Sequence, residues 1–193
     1  AASSNNIISG STLTNVNNGI YLGGSSNNTV SANNITNNGA AGINSWSSSN
    51  NSIFGNTLTN NGLYGIFLQE SSNYNNVSKN NMTHNNSDGI FVRSSSKNII
   101  SQNNITDNKV YGICLQYTSE NAIYHNNFAN NTHQTYTWGS ADTWDDGYPS
   151  GGNYWSDYTD VDLYSGPYQN ITGSDGIVDK PYIIDVNNKD RYP

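Results

Sequence analysis

The 193 residues of this chain suit a single domain, and a formal net charge of −7 without a basic patch argues against a nucleic-acid-binding protein. Only 33% of the residues are hydrophobic and 11% are charged. No apolar run approaches the roughly 20 residues of a membrane-spanning helix, so no membrane span is predicted. The single cysteine, Cys114, excludes an internal disulfide.

Six pairs of apolar residues, five positions apart, recur at intervals of 22 to 24 residues and define a repeat. They are Ile8/Leu13, Val30/Ile35, Ile53/Leu58, Val77/Met82, Ile100/Ile105 and Ile123/Phe128. Each of the first five pairs is followed by a Gly-Ile step, at Gly19, Gly42, Gly65, Gly89 and Gly112. Units of about 23 residues with period-two alternation and no helical periodicity predict an all-β fold rather than a disordered chain. We expect a right-handed parallel β-helix, a solenoid of about six coils.

Asparagine recurs in step with these apolar pairs. One column lies two residues before the first apolar residue of each pair (Asn6, Asn28, Asn51, Asn75, Asn98 and Asn121). A second lies three residues after it (Asn33, Asn56, Asn80, Asn103 and Asn126). Coils stacked at about 4.8 Å would align these amides, so we expect them to hydrogen-bond along the axis as ladders. The Gly column is expected to serve a sharp corner of the coil.

The repeat pattern weakens near Asn131, where the Gly-Ile step is lost. Residues 1–131 are therefore predicted to form the β-helix repeats, and residues 132–193 an acidic, aromatic cap packed on the solenoid. Ten Asp and three basic residues follow Ala141, so the last quarter carries the whole net charge. The sequence predicts no cap for the strand edges of the first coil, and such edges associate, so either a preceding domain or the tail of another subunit is expected to hold them. The second alternative predicts head-to-tail docking of subunits.

The coils follow a loose N-x-I-x-x-N-x-I-x-x-N-x-x-G-I-x-L rhythm, and two tail segments are distinctive: residues 143–158 (TWDDGYPSGGNYWSDY) and 173–182 (GSDGIVDKPY). Together they resemble the NosD-like, or CASH-domain, family of pectin-lyase-type β-helices, and the tail is similar to that of cell-surface members from methanogenic archaea. The resemblance covers nearly the whole chain. It implies an exported, often glycosylated protein with an extracellular or cell-surface location. The Ala1-Ala2 start is typical of residues that follow a signal-peptide cleavage site.

Nine Asn-x-Ser/Thr sequons are candidates for N-glycosylation: Asn27, Asn34, Asn50, Asn76, Asn81, Asn85, Asn104, Asn130 and Asn170. Chance also creates sequons in a chain this rich in Asn, Ser and Thr. Asn34, Asn81 and Asn104 each precede an inward apolar residue, so alternation directs them outward in one column. Export and exposure together predict that some sequons carry glycans.

An outward stripe is expected between the inward residues of each Gly-Ile-x-Leu strand, at Tyr21, Asn44, Phe67, Phe91 and Cys114. The next column holds Gly23, Trp46, Gln69, Arg93 and Gln116. Aligned exposed aromatic residues mark a contact surface, so Tyr21, Trp46, Phe67 and Phe91 are predicted to cradle sugar rings or to pack against another subunit. Alternatively, the C-terminal segment folds back over them, and Cys114 is then a small semi-buried residue rather than a nucleophile.

Five tail carboxylates lie in Gly-rich, turn-prone sequence: Asp157, Asp160, Asp162, Asp175 and Asp179. Hard oxygen ligands of this kind suit Ca²⁺, so a calcium site is predicted, with turn and cap chemistry by Asp as the competing interpretation. No organic cofactor is predicted. Three His, one Met and one Cys are spread along the chain and predict no copper cluster.

A polysaccharide lyase or hydrolase needs paired carboxylates, or a carboxylate with Ca²⁺ and a basic residue, on one coil face. The coils offer only Glu70 with Arg93 and His84 with Asp107, neither with a second acid. The sequence therefore predicts a non-enzymatic structural protein, a glycosylated self-assembling subunit of a surface layer, sheath or filament. The alternative is a carbohydrate-binding or adhesion module, and the third is a polysaccharide-active enzyme with Ca²⁺ at the tail. The expected partners are further copies of the chain or a surface polysaccharide.

Overall fold

A computed structural model describes residues 3–193, so Ala1-Ala2, on which the expectation of a processed start rests, lie outside the described residues. Residues 3–193 form strands, turns and bends, and the prediction of an all-β solenoid of about six coils is confirmed. Within that range no helix is long and apolar enough to cross a membrane.

Each coil contributes three short strands. Coils 1 to 3 contain β1 (Ile7–Ser9), β2 (Thr12–Thr14), β3 (Ile20–Gly23), β4 (Thr29–Ser31), β5 (Asn34–Thr36), β6 (Ile43–Trp46), β7 (Ser52–Phe54), β8 (Thr57–Thr59) and β9 (Ile66–Gln69). Coils 4 to 6 contain β10 (Asn76–Ser78), β11 (Asn81–Thr83), β12 (Ile90–Arg93), β13 (Ile99–Ser101), β14 (Asn104–Thr106), β15 (Tyr111–Gln116), β16 (Ser119–Tyr124), β17 (Asn127–Ala129) and β18 (His133–Trp138). They are followed by β19 (Ala141–Thr143), β20 (Tyr154–Trp155), β21 (Tyr164–Ser165), β22 (Ile171–Thr172), β23 (Tyr182–Ile183) and β24 (Lys189–Asp190).

These strands stack into three parallel sheets that run along the solenoid. Sheet A contains β1, β4, β7, β10, β13, β16 and β19, sheet B contains β2, β5, β8, β11, β14, β17 and β20, and sheet C contains β3, β6, β9, β12, β15 and β18. The sheets continue past the boundary predicted at residue 131, because β18 completes the sixth coil and β19 and β20 extend sheets A and B. The pairs β21–β22 and β23–β24 are antiparallel.

The interior of the solenoid consists of stacked apolar side chains bordered by stacked amides. Ile53, Leu58 and Ile66, one from each sheet of the third coil, are fully buried. In both predicted asparagine columns each side-chain amide donates to the next coil, as when Asn56 donates to Asn80 at 2.9 Å. A third ladder, which was not predicted, joins Asn38, Asn61, Asn85, Asn108 and Asn131. The ladders satisfy the buried polar groups that a chain with few apolar residues must enclose.

The Gly column serves close packing rather than a left-handed corner. A Cβ on Gly42 would lie 2.7 Å from Leu58 Cδ2 and 2.8 Å from the Gly65 carbonyl oxygen, so only glycine fits. Gly19, Gly42, Gly65 and Gly89 lie at bends just before the strands of sheet C, so the expected corner is present, but these residues do not have positive φ. Left-handed positions elsewhere in the coils are mostly occupied by other residue types, such as Asn50 (φ 57°) and Lys97 (φ 60°).

The C-terminal segment supplies the acceptors that end the ladders. All ladder amides donate toward this end, so the last amide needs an acceptor. Asn121 donates to Oδ1 of Asp142 at 2.8 Å, and Asn153 donates to Oδ2 of Asp190 at 3.2 Å. An ionised carboxylate accepts hydrogen bonds but donates none, so it can end a ladder without needing a further acceptor.

Aromatic rings continue the apolar interior into this segment. Trp155 stacks on Phe128 with ring centroids 4.7 Å apart, and Tyr182 stacks on Trp155 at 4.3 Å. The buried Trp144 donates from Nε1 to Asn188 at 3.2 Å. A capping function for residues 132–193 stays a prediction.

Candidate functional site

The outer margin of sheet C carries one aligned residue from each coil, which we call the edge column: Gly23, Trp46, Gln69, Arg93, Gln116 and Trp138. Five of them were placed in one column from the sequence; Trp138 was not, because the repeat was expected to end near Asn131. Adjacent members are one strand spacing apart, so Trp46 and Trp138 lie about 19 Å apart along the axis.

Two pairs of exposed aromatic side chains, each containing one member of the edge column, lie toward its two ends. Tyr21 and Trp46 form the N-terminal pair, 57% and 46% exposed, and Tyr117 and Trp138 form the C-terminal pair, 62% and 58% exposed. A glycine makes room for the tyrosine of each pair. A Cβ on Gly23 would lie 3.1 Å from Tyr21 Cζ, and a Cβ on Gly139 would lie 3.2 Å from Tyr117 Cδ1.

Between the aromatic pairs the edge column is polar. Arg93 donates from one terminal nitrogen to Glu70 Oε1 at 3.1 Å and to Gln69 Oε1 at 3.4 Å. The Arg93 guanidinium carbon lies 5.7 Å from the centre of the Phe67 ring, and this cation–π contact helps to hold the guanidinium in place. Gln116, half-buried, follows in the next coil. The predicted Glu70–Arg93 pair is therefore present, as part of a hydrogen-bonded polar centre.

The predicted platform of Tyr21, Trp46, Phe67 and Phe91 is only partly exposed. Phe67 and Phe91 stack at 4.8 Å, and the Tyr64 ring covers both at 5.0 and 5.2 Å, leaving Phe91 8% exposed. The expectation that Phe91 forms a contact surface is wrong, because Tyr64 covers its ring, whereas Phe67 is half-buried and lies against Arg93. The covering residue comes from the turn before β9 rather than from the C-terminal segment.

Asp88 and Cys114 are enclosed on the same side of sheet C. Asp88 is 4% exposed and accepts hydrogen bonds at Oδ1 from Ser87 Oγ and the Tyr111 N–H, both at 3.2 Å. Burial raises its pKa to about 6. Burial and the Asp88 charge raise the pKa of the Cys114 thiol to about 12, so it stays protonated and is not a nucleophile.

The structure separates the sequons by exposure. Asn85 is wrong as a glycosylation candidate, because its side chain is fully buried in the third ladder and donates to Asn108 at 2.9 Å. Asn81 is half-buried, and the remaining candidates are exposed: Asn27, Asn34, Asn50, Asn76, Asn104, Asn130 and Asn170. Asn81 and Asn104 do share one outer column, in which Asn104 donates to Asn81 at 2.7 Å. Their occupancy stays a prediction.

The five tail carboxylates are engaged in organising loops. Asp160 pairs with Lys180 at 2.9 Å. The others accept hydrogen bonds: Asp157 from Tyr182, Asp162 from the N–H groups of Asp175 and Gly176, Asp175 from Gly166 and Gln169, and Asp179 from Leu163 and Tyr164. Between Ser3 and Pro193 no three His, Cys, Asp or Glu side chains lie together so as to hold a metal ion. The calcium site stays a prediction without a ligand cluster to support it.

His84 and Asp107, the second pair considered for catalysis, do not hydrogen-bond to each other in the part of the chain that the structure describes. His84 Nδ1 instead contacts Thr83 Oγ1 at 2.7 Å, beside its own strand. Both residues occupy left-handed corners of the coils, with φ of 58° and 57°. The geometry gives them a structural position at a turn.

A family model described as periplasmic copper-binding protein (NosD) matches residues 1–160. No curated protein matches the chain. The solved structure of the periplasmic alginate epimerase AlgG is similar at a TM-score of 0.62 and 21% identity, covering 78% of this chain and 44% of that chain. The mannuronan C-5 epimerase AlgE6 A-module of Azotobacter vinelandii has a TM-score of 0.46 and 15% identity, covering 72% of this chain and 58% of that chain. An alginate lyase from Paenibacillus sp. has a TM-score of 0.43 and 15% identity, covering 79% of this chain and 73% of that chain. The chain thus spans less than half the length of the AlgG structure.

The prediction that this chain is not an enzyme is corrected by the AlgG structure, because an epimerase shares its fold. The prediction relied on the small number of acids in the coils, and that number does not exclude catalysis on a β-helix. At 21% identity the likeness shows the fold alone, and no activity follows from it.

The family description names copper, and the side chains present do not fit a copper site. Met82 is enclosed in the solenoid interior, and the Cys114 thiol is protonated. The three histidines are apart: His84 contacts Thr83, His125 contacts the Ser150 carbonyl oxygen, and the His133 ring lies against Tyr111. Across residues 3–193, soft and imidazole ligands are therefore not gathered at one place as a copper ion requires.

Proposed function

This chain belongs to the NosD family of β-helix proteins, and from that premise we propose that it is an extracytoplasmic carbohydrate-binding protein that holds an extended polysaccharide along the edge column. The observation that carries the proposal is the pair of exposed aromatic groups, Tyr21 with Trp46 and Tyr117 with Trp138, one at each end of a polar centre.

The chemistry of the edge column suits sugars. A pyranose ring has an apolar face that stacks on Trp or Tyr, and its hydroxyls both donate and accept hydrogen bonds. Trp46 and Trp138 offer the rings, while Arg93, Glu70 and Gln116 offer donors and acceptors. The coil spacing of about 4.8 Å is close to the length of one hexose in an extended chain, so successive sugars would meet successive coils.

Two further observations support the proposal. AlgG, which shares the fold, is an alginate epimerase, so a β-helix of this kind acts on a polysaccharide. NosD and AlgG are both periplasmic proteins, which supports a periplasmic or extracellular location for this chain.

The test is binding of polysaccharides by the wild type and by a Trp46→Ala/Trp138→Ala double variant. We expect electrophoretic retardation of the wild type in gels that contain a bound polysaccharide, and loss of about tenfold or more in affinity in the double variant, because two stacking contacts are removed. The matched control is Tyr154→Ala/Tyr168→Ala, which removes two exposed rings outside the edge column. Absence of retardation by every polysaccharide tested, or equal affinities of the two double variants, would overturn the proposal.

Self-assembly into a surface layer, sheath or filament by head-to-tail stacking remains a separate prediction. Sedimentation velocity over a range of protein concentrations tests it, since concentration-dependent polymers are expected and a monomer throughout would contradict it.

A further inference from the structure

Arg93 is the one charged member of the edge column, and its charge is already matched. Glu70 accepts its hydrogen bond at 3.1 Å, and both side chains are about equally open to solvent, 40% for Arg93 and 43% for Glu70. The ion pair therefore faces the surface on which a sugar chain would lie. A ligand at the centre of the column meets a guanidinium and a carboxylate together, rather than an isolated cation.

The other members of the edge column carry no charge: Gly23, Trp46, Gln69, Gln116 and Trp138. Asp88 is buried on the same side of sheet C as Cys114. The chain as a whole carries a net charge of −7. A polyanion approaching the edge column therefore meets a cation whose charge is already matched by Glu70, on a chain whose net charge is of the same sign as its own.

From this arrangement we infer that the edge column selects uncharged polysaccharides and rejects acidic ones, with Glu70 as the specificity-determining residue. The inference rests on the proposed function and deepens it. A sugar carboxylate that accepts hydrogen bonds from the remaining N–H groups of Arg93 would lie beside the Glu70 carboxylate, and the repulsion between the two carboxylates opposes its binding. A neutral sugar has no such conflict, because one hydroxyl donates to Glu70 while a neighbouring hydroxyl accepts from Arg93.

The two sugar classes can be compared directly by titration calorimetry at low ionic strength. The probes are a neutral β-1,4-linked hexasaccharide of glucose or mannose and an acidic hexasaccharide of mannuronate or galacturonate. We expect the wild type to bind a neutral probe at least about tenfold more tightly than an acidic one, and Glu70→Gln to raise the affinity for the acidic probe about tenfold by freeing Arg93.

The matched control is Glu120→Gln, which makes the same change in charge at another left-handed corner, with φ of 58° against 51° for Glu70, away from the edge column. The inference is overturned if the wild type binds acidic probes as tightly as neutral ones, or if Glu120→Gln raises acidic binding as much as Glu70→Gln. Binding of neither class by any variant would instead be a failure of the proposed function, so the two failures are distinguishable.

Discussion

The coils and the C-terminal segment meet the same physical requirement in different ways. In a coil, a ladder amide is satisfied by the identical residue of the next coil, as Asn56 is by Asn80 and Asn80 by Asn103. In the C-terminal segment, buried groups pair with residues of other types, as Trp155 Nε1 does with Asp190 at 3.0 Å. Repetition therefore propagates a hydrogen-bond pattern, but only a change of residue type can end it.

This difference predicts how much stability is lost when a residue of each kind is replaced. A ladder residue in the middle of the solenoid has partners on both sides, so its loss leaves several buried groups without partners. A residue that ends a ladder has fewer such neighbours, and a residue of the outer surface has fewer still. The expected losses of stability decrease in that order.

The largest loss is expected for Asn80→Ala. Asn80 accepts from Asn56 and donates to Asn103 and to the Ile53 carbonyl oxygen, all within the buried interior. Removing its side chain leaves these groups unpaired, so we expect the free energy of unfolding to fall by about 3 kcal/mol or more. Guanidinium unfolding followed by circular dichroism measures this loss.

The control is Asn104→Ala in the exposed outer column, with an expected loss of about 1 kcal/mol or less. Equal losses would mean that the buried ladders do not carry the stability of the coils.

The next effect is expected for Asp190→Ala, which removes the acceptor that ends the second ladder. Trp155 Nε1 and the Asn153 N–H both donate to Oδ2 of Asp190. We expect a loss of about 2 kcal/mol, concentrated at the end of the solenoid, because these buried donors lose their acceptor. Hydrogen exchange of the β17 and β20 amides would show it as reduced protection there, while β7 and β8 stay protected. Uniform loss of protection in all coils would contradict a local role of this segment.

Much of the coil geometry could be predicted from the sequence, because repeated Ile, Asn and Gly positions fix the register. Trp138 was missed because the Gly-Ile step is lost in the sixth coil, although the alternation of residues 133–138 continues. Tyr64 was missed because it lies in a turn, where alternation does not determine direction. Asn85 was misassigned because only two of the three ladders were recognised. The partners of the C-terminal segment lie up to 48 residues apart without a repeat, so spacing could not pair them.

A coil also contains one buried charge that repetition does not explain, and its removal should stabilise the protein. Burial raises the pKa of Asp88 to about 6, from an ordinary value near 3.8. The folded state therefore binds this proton more tightly than the unfolded state, and the charge reduces stability as pH rises from about 4 to 6. Asp88→Asn is expected to be about 1–2 kcal/mol more stable than the wild type at pH 7, and equal to it near pH 4.

Thermal unfolding of this variant at pH 4 and pH 7 measures the effect. Asp88→Ala is the comparison variant: it removes the charge but also the acceptor of the Ser87 and Tyr111 hydrogen bonds, so its gain at pH 7 should be smaller. If Asp88→Asn is less stable than the wild type at pH 7, the carboxylate contributes more through its hydrogen bonds than its burial costs.

The smallest effect is expected where the C-terminal segment pairs its own charges. Arg191 donates to the buried Asp145 carboxylate at 2.6 and 2.9 Å, but the arginine is itself half exposed. Although burial raises the pKa of Asp145, the hydrogen bonds and charge of Arg191 bring it below its ordinary value. The pair therefore stabilises the fold above about pH 4, and its contribution is lost as pH falls below that. Arg191→Ala should reduce the free energy of unfolding by about 1 kcal/mol at pH 7, since solvent screens the arginine, and by less at pH 3.

The control in guanidinium unfolding is Lys189→Ala, which removes an exposed cation two residues away. A loss from Arg191→Ala that is the same at both pH values would mean that the side chain stabilises the segment by packing on Tyr192, 5.3 Å from its guanidinium carbon, rather than by its charge.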